Sequence, residues 1–165
     1  MMAGRLVPGN RVELLQNGME YFPALVAAID GAARDIFLET YIFDPDETGQ
    51  KVAEALKRAA QRGVPTHLLL DGFGSKDLPQ AVIDGLLGAG VRVLYYRREL
   101  SRLRFRRHRL RRLHRKLAVI DGRIAFVGGI NIIDDLHTPD HVPPRFDYAV
   151  RAEGSLLAEI YPSVR

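Results

Sequence analysis

The sequence contains no cysteine among its 165 residues. Disulfide bonds, thiol nucleophiles and thiolate metal sites are therefore excluded. No apolar run approaches the roughly 20 residues of a membrane-spanning helix, and residues 1–15 lack the apolar core of a secretory signal. From these absences we expect a chain that is soluble or bound peripherally to a membrane.

Positive charge is concentrated in one segment. Residues 97–116 (Arg97 to Lys116) hold 11 arginines and lysines and a single acid, so this segment carries +10 while the rest of the chain carries −6. Such a run is often a solvated face or loop, but near a reactive site it attracts phosphodiesters. An anionic lipid surface and a nucleic-acid backbone both stay open as partners. The leucines and phenylalanine among the arginines favour a peripheral membrane contact.

The length suits one domain, residues 1–165, with a substantial core and no linker. Apolar patterns and turn residues predict alternating strands and helices. The strands are expected at 12–15, 35–43, 66–70, 91–96, 117–120, 124–127 and 148–152, and the helices at 19–33, 48–62, 78–87 and 155–161. The β-α-β-α-β alternation of the first part indicates an α/β fold with a mixed, largely parallel central sheet and helices on its faces.

The most informative motif runs from His114 to Asn131 and reads H-x-K-x4-D-x6-G-G-x-N. Two short apolar runs flank the turn residue Asp121, so the segment predicts a β-hairpin. If strand pairing begins by His114, the period of two places His114 and Lys116 on one face and Arg115 on the other. An imidazole that can attack phosphorus would then stand beside an ammonium that can stabilise phosphoryl oxygens.

Further residues are candidates for the same site. Asn131 can donate an amide hydrogen bond to a phosphoryl oxygen, and Gly129 allows close backbone approach, so we expect both to bind phosphate with Lys116. Asp121 belongs to the motif, but a carboxylate at a turn usually caps the hairpin. Glu39 lies in an apolar strand, where an unpaired carboxylate is costly, so we expect it to line a pocket.

The motif resembles the H-K-D motif of the phospholipase D superfamily. Upstream, residues 39–43 (E-T-Y-I-F) and 71–75 (D-G-F-G-S) resemble segments of bacterial cardiolipin synthases, and residues 10–18 look like the start of their first catalytic half. The resemblance covers about residues 10–154. It implies a phospholipase D-like α-β-α sandwich and a chemistry that needs neither a metal nor another cofactor. The sequence likewise offers no obvious cluster of histidines and carboxylates for a metal.

The resemblance implies phosphatidyl transfer through a phosphohistidine. His114 would attack phosphorus, Lys116 and Asn131 would stabilise its oxygens, and a second histidine would protonate the leaving alcohol. A catalytic histidine needs its other ring nitrogen held, and Asp147 resembles the family's supporting acid. The implied substrate is an anionic phospholipid such as phosphatidylglycerol, at the cytoplasmic face of the bacterial inner membrane.

The chain carries one H-K-D motif, whereas cardiolipin synthases carry two. We therefore expect one half of a two-motif enzyme, or a homodimer that shares a site between protomers, and the sequence favours the first. Two other functions stay open. One is a homodimeric, metal-independent phosphodiesterase or nuclease, and the other is a non-catalytic domain that binds anionic surfaces.

Overall fold

A computed structural model describes residues 8–97, 112–137 and 142–165. Within these ranges seven strands form one sheet. In chain order the elements are β1 (Asn10–Gln16), α1 (Asn17–Asp30), β2 (Ile36–Thr40), α2 (Glu47–Gln61), β3 (Thr66–Asp71), α3 (Gln80–Gly88), β4 (Arg92–Tyr96), β5 (Leu117–Ile120), β6 (Ile124–Gly128), β7 (Tyr148–Gly154), α4 (Leu157–Ile160) and a 3₁₀ turn (Tyr161–Ser163). Each predicted strand and helix is present, with small shifts at its ends. None of these helices is long and apolar enough to cross a bilayer.

The strands are arranged in the order β1-β7-β6-β5-β2-β3-β4. Among the described pairs, β2–β3 and β3–β4 are parallel and the other four are antiparallel. The α/β class is confirmed, but the prediction of a largely parallel sheet is wrong. A parallel pair needs a long crossover, which α2 and α3 supply between β2, β3 and β4. The tight turn between β5 and β6 can join only antiparallel strands, and β7 and β1 continue that pattern.

The two faces of the sheet are covered unequally. Helices α1, α2 and α3 lie over one face, where the main core contains fully buried side chains such as Leu25, Leu56 and Leu68. On the other face, Leu117 of β5 packs in a small cluster with Leu157 of α4. The layers therefore follow an α-β-α order, in which the short C-terminal helix forms the second helical layer of the described chain.

One edge of the sheet collects the ends of several strands. The parallel strands β2, β3 and β4 end there, and β5 begins there because Leu117 pairs with Glu39 near the end of β2. The end of β6 and the start of β7 meet at the same edge, where Gly128 pairs with Ala149. Since β1 pairs with β7 antiparallel, β1 ends and α1 begins at this edge too. We call it the motif edge, because His114 lies three residues before β5.

Asp121 lies at the opposite edge, in the turn between β5 and β6, with a φ of 57°. Its Oδ1 accepts the backbone N–H of Arg34 at 2.7 Å and that of Asp35 at 3.1 Å. Ala33 N–H donates to Oδ2 at 3.0 Å. Burial raises the pKa of the Asp121 carboxyl, but these hydrogen bonds and the charge of Arg123 together hold it below its ordinary value. Asp121 thus fastens the hairpin to the loop before β2.

We expect Asp121→Ala to lower the free energy of unfolding by about 2 kcal/mol, because three backbone donors lose a charged acceptor. Asp84→Ala, which removes an exposed carboxylate on α3, should change it by less than about 0.5 kcal/mol. The folded pKa of Asp121 is depressed, so its contribution is present above the unfolded value of about 3.9 and is lost as the pH falls through the folded value. Urea unfolding at neutral and acid pH measures both effects. Equal stability of the two variants at neutral pH would contradict this assignment.

Candidate functional site

His114 and Lys116 contact the same aromatic ring at the motif edge. The ring of Tyr41 lies 5.2 Å from the His114 ring and 5.4 Å from Lys116 Nζ. Lys116 Nζ also donates to the main-chain oxygen of His114 at 3.2 Å. Arg115 turns away from both and pairs with Glu39. The predicted separation of Arg115 from His114 and Lys116 is therefore found, although β5 itself begins only after Lys116.

Lys116 is a buried cation, with 8% of its surface exposed, whereas His114 is exposed. Burial lowers the pKa of the Lys116 ammonium, and the negative charge of Asp147 offsets part of that effect. The Tyr41 ring adds a cation–π contact. In the described part of the chain, no carboxylate forms an ion pair with this ammonium. Its charge is therefore available to an anionic substrate.

Asn131 presents amide hydrogens to the same site. Its Oδ1 accepts the backbone N–H of Ile42 at 3.0 Å. This bond orients the amide, because a backbone N–H requires the oxygen as its partner. The two N–H bonds of Nδ2 have no partner among residues 8–97, 112–137 and 142–165. They can donate to a phosphoryl oxygen held by Lys116.

Gly129 and Asp147 are packed against each other beside this group. The Gly129 N–H donates to the Tyr148 oxygen at 2.9 Å, which commits that amide to the sheet. A Cβ on Gly129 would lie 2.1 Å from Asp147 Oδ1, so glycine provides the space that the carboxylate occupies. Asp147 Oδ1 accepts its neighbour's N–H at 2.8 Å. Within the described residues no hydrogen bond joins Asp147 to His114, and its electrostatic partner is Lys116.

Glu39 lies at the motif edge but contacts Arg115 rather than these residues, and Asp121 lies far from them. Glu39 is buried, with Oε2 2.6 Å from Arg115 Nη2, and its strand neighbour across the sheet is Leu117. Burial raises the pKa of the Glu39 carboxyl above its ordinary value, and the charge of Arg115 offsets only part of that rise. Asp121 is at the opposite edge. The structure thus gathers six of the seven candidates at the motif edge, all except Asp121, and Glu39 is held there by Arg115.

The side chains of Asp71 and Ser75 form hydrogen bonds with the main chain beside the site. Asp71 is buried at the end of β3, and its Oδ2 accepts the Leu113 N–H at 2.7 Å, directly before His114. Its Oδ1 accepts two N–H bonds from the turn that follows, at 2.9 Å and 3.0 Å. In that turn Ser75 Oγ donates to the Tyr41 oxygen at 3.0 Å. The sequence pattern places Asp71 and Tyr41 at or just beyond the ends of parallel strands, but it does not show that they contact the motif.

We expect Asp147→Asn to lower the pKa of Lys116 further, because the substitution removes a negative charge that favours the ammonium. Glu39→Gln removes a carboxylate that pairs with Arg115 and should leave the Lys116 pKa nearly unchanged. Following the Lys116 ε-methylene by NMR during a pH titration measures both. Equal shifts in the two variants would show that Asp147 has no local effect on the ammonium.

Comparison with known proteins places cardiolipin synthases among the relatives of this chain. A family model described as "Cardiolipin synthase, PLD-like domain" matches residues 25–138. Cardiolipin synthase B of Salmonella typhi is 48% identical over 153 residues, which cover 92% of this chain and 37% of that protein. Cardiolipin synthase B of Escherichia coli K12 is 44% identical over the same length and coverage. The chain therefore spans little more than a third of the length of these curated relatives.

Solved structures show the same fold at low sequence identity. NucT from Helicobacter pylori matches with a TM-score of 0.72 and 17% identity, over 94% of this chain and 93% of that one. Nuc from Salmonella typhimurium, described as a phospholipase D family member, matches with a TM-score of 0.67 and 18% identity, over 93% of this chain and 91% of that one. The structural similarity identifies the fold, and the sequence similarity identifies the family. The chain belongs to the family of phospholipase D-like domains of cardiolipin synthases.

Proposed function

We propose that this chain is one catalytic half of a cardiolipin synthase-type phosphatidyltransferase that acts on an anionic phospholipid. The observation that carries the proposal is that an exposed imidazole, a buried ammonium and two amide N–H bonds lie at one edge, from His114, Lys116 and Asn131. Among the described residues, no carboxylate forms an ion pair with the ammonium, and the amide N–H bonds have no partner. A phosphodiester has one electrophilic phosphorus and two non-bridging oxygens, which match one nucleophile and two donors. Identities of 44% and 48% to cardiolipin synthase B support a lipid substrate.

The reaction proceeds in two steps. A ring nitrogen of His114 attacks phosphorus, the bond to the leaving alcohol breaks, and a phosphohistidine forms. A second histidine gives its proton to the leaving oxygen and then takes a proton from the acceptor hydroxyl, whose oxygen attacks phosphorus and releases His114. Lys116 and Asn131 stabilise the negative charge of the non-bridging oxygens in both steps. A lipid hydroxyl as acceptor gives a transferase, and water gives a phosphodiesterase.

The second histidine belongs to a partner. The chain has one H-K-D motif, and cardiolipin synthase B is much longer than the part that this chain matches. We place the second histidine on the other half of a longer enzyme, with a second copy of this chain as the alternative source. A lone protomer is accordingly expected to be nearly inactive.

Exposed apolar side chains at the motif edge support action at a membrane surface. Phe73 is 40% exposed, and its ring lies between two cations, 4.4 Å from Arg112 Cζ and 5.4 Å from Lys76 Nζ. Phe146 precedes β7 and is 69% exposed. An aromatic ring flanked by cations suits the headgroup layer of an anionic bilayer. We infer peripheral binding at the cytoplasmic face of the inner membrane. Most of the basic segment predicted for this contact, residues 98–111, lies outside the described residues.

A metal-independent nuclease, active as a homodimer, is the second candidate. The chain covers 93% of NucT and 91% of Nuc, so a domain of this size is the whole of those chains. The strongly basic segment before the motif is compatible with a nucleic-acid backbone. Substrate assays separate this candidate from the phosphatidyltransferase.

In the assembled enzyme, where a partner supplies the second histidine, we expect His114→Ala to reduce phosphatidyl transfer roughly 1,000-fold and to abolish the phosphohistidine trapped by acid quenching. The matched control is the double variant Glu39→Gln with Arg115→Gln, which removes the neighbouring ion pair without leaving one buried charge behind. It should keep most of the activity and the trapped intermediate. Comparable losses in the two proteins would contradict the role given to His114.

We expect turnover of phosphatidylglycerol by the same assembled enzyme to persist in a strong chelator, and single-stranded or duplex DNA to remain intact under the same conditions. The reason is that the proposed charge stabilisation comes from Lys116 and Asn131. Activity that disappears in chelator and returns with magnesium or zinc would overturn this mechanism. Cleavage of DNA in chelator, without any turnover of lipid, would establish the nuclease instead.

A further inference from the structure

Helix α1 carries a second apolar stripe that packs only partly against the core. Its buried stripe includes Tyr21, Leu25 and Ile29 and packs into the main core. The second stripe has the i, i+3, i+4, i+7 spacing of one helical face and remains at least partly accessible: Met19, Phe22, Pro23 and Val26. Met19 is 86% exposed. A globular helix usually presents polar residues on the side away from the core, so this second stripe indicates a further apolar contact.

This stripe forms one wall of an open groove. The groove has a volume of about 850 Å³ and runs between α1, the start of α2 and the loop after Asn131. Leu136, which is 71% exposed, and Pro144 extend its apolar lining. Small-molecule sites typically have volumes of roughly 300–1,000 Å³. The groove is therefore large enough for a ligand, and most of its exposed surface is apolar, although acidic and other polar side chains also line it.

The groove begins beside the candidate site. Asn17 N–H donates to the Asp147 oxygen at 2.9 Å, and Asn17 Oδ1 accepts the Asp147 N–H at 3.0 Å. The next residue, Gly18, donates its N–H to Asp135 Oδ2 at 2.6 Å. Asp135 follows Asn131 by four residues. At this end of the groove, Asn17 is therefore hydrogen-bonded to Asp147 just before β7, and Gly18 is hydrogen-bonded to Asp135 in the segment that follows Asn131.

The basic residues around the groove are already paired with carboxylates. Lys51 Nζ lies 2.7 Å from Glu47 Oε1, and Arg58 Nη2 lies 2.9 Å from Asp30 Oδ2. These are the basic residues of the groove lining. A phosphate backbone that followed the groove would have to compete with these carboxylates. An uncharged hydrocarbon chain meets no such competition, so the lining favours an apolar ligand.

We propose that this groove binds one acyl chain of the phospholipid whose phosphate lies at His114 and Lys116. The proposal rests on the proposed function, because it takes the phosphodiester at the motif edge to be a lipid. The headgroup phosphate is held by Lys116 and Asn131, and the chain leaves the site past Asn17 into the groove. Each methylene that enters the groove should then strengthen binding by up to about fourfold.

The test uses monomeric phosphatidylglycerols that differ only in acyl length, namely the dibutanoyl, dihexanoyl and dioctanoyl forms, with binding followed by calorimetry. The full chain should bind more tightly as the acyl chains lengthen. Val26→Trp fills the groove, and Met19→Asp places a negative charge on its exposed apolar lining. Both variants should lose this dependence. Leu94→Trp, at a 60% exposed position of β4 outside the groove, is the control and should retain it.

Lys116→Ala separates this proposal from the proposed function. It should weaken binding of every lipid while the dependence on acyl length persists, because the phosphate and the chain are held by different residues. If Lys116→Ala binds all three lipids as tightly as the unchanged chain, the phosphate site is wrong while the groove stands. A full dependence on acyl length in both Val26→Trp and Met19→Asp overturns the groove. So does sedimentation in which Val26→Trp dissociates a dimer without changing lipid binding, because the groove is then a contact between copies.

Discussion

The antiparallel pairing of β5 with β2 is the contact on which the arrangement of the site depends. It joins the parallel strands β2, β3 and β4 to the antiparallel strands β6, β7 and β1 within one sheet. Because Leu117 pairs with Glu39, the residues before β5 arrive where the parallel strands end. Parallel strands bring their following loops to that edge, and the antiparallel hairpin brings its preceding segment there. The side chains of the candidate site therefore come from both the parallel and the antiparallel parts of the sheet.

The electrostatic character of the site follows from which charges are paired. Arg115, Lys51 and Arg58 each contact a carboxylate, whereas Lys116 is buried against Tyr41 and receives only partial compensation from Asp147. A buried ammonium that lacks a close counterion gains most from an anion that enters the site. The same burial costs the folded chain stability in the absence of substrate, as is common where side chains are arranged for chemistry.

Local patterns predicted much of this structure, and long-range pairing limited the rest. Periodicity and turn residues were enough for the strands and helices, the β5–β6 hairpin and the grouping of His114 with Lys116. The sheet is mostly antiparallel and not largely parallel as predicted, because the pairing of β5 with β2 joins distant parts of the chain and leaves no local signal in the sequence. A buried Glu39 was known to need a partner, but nothing in the sequence identifies Arg115. Likewise, the three backbone N–H groups that donate to Asp121 lie nearly ninety residues away from it along the chain, so no local pattern identifies them.

Because Gly129 packs closely on Asp147, the residues that each position can accept depend on the residue at the other. An added methyl group at Gly129 meets the carboxylate of Asp147, with Oδ1 at 2.1 Å and Cγ at 2.8 Å, and therefore collides with a replaceable side chain. At Gly128 the added methyl group meets the main-chain oxygen of Tyr148 at 2.4 Å, which no substitution can remove. Position 128 is therefore closed to every larger residue. Position 129 can accept one only if the Asp147 side chain moves aside or is shortened, so substitutions at the two positions depend on each other.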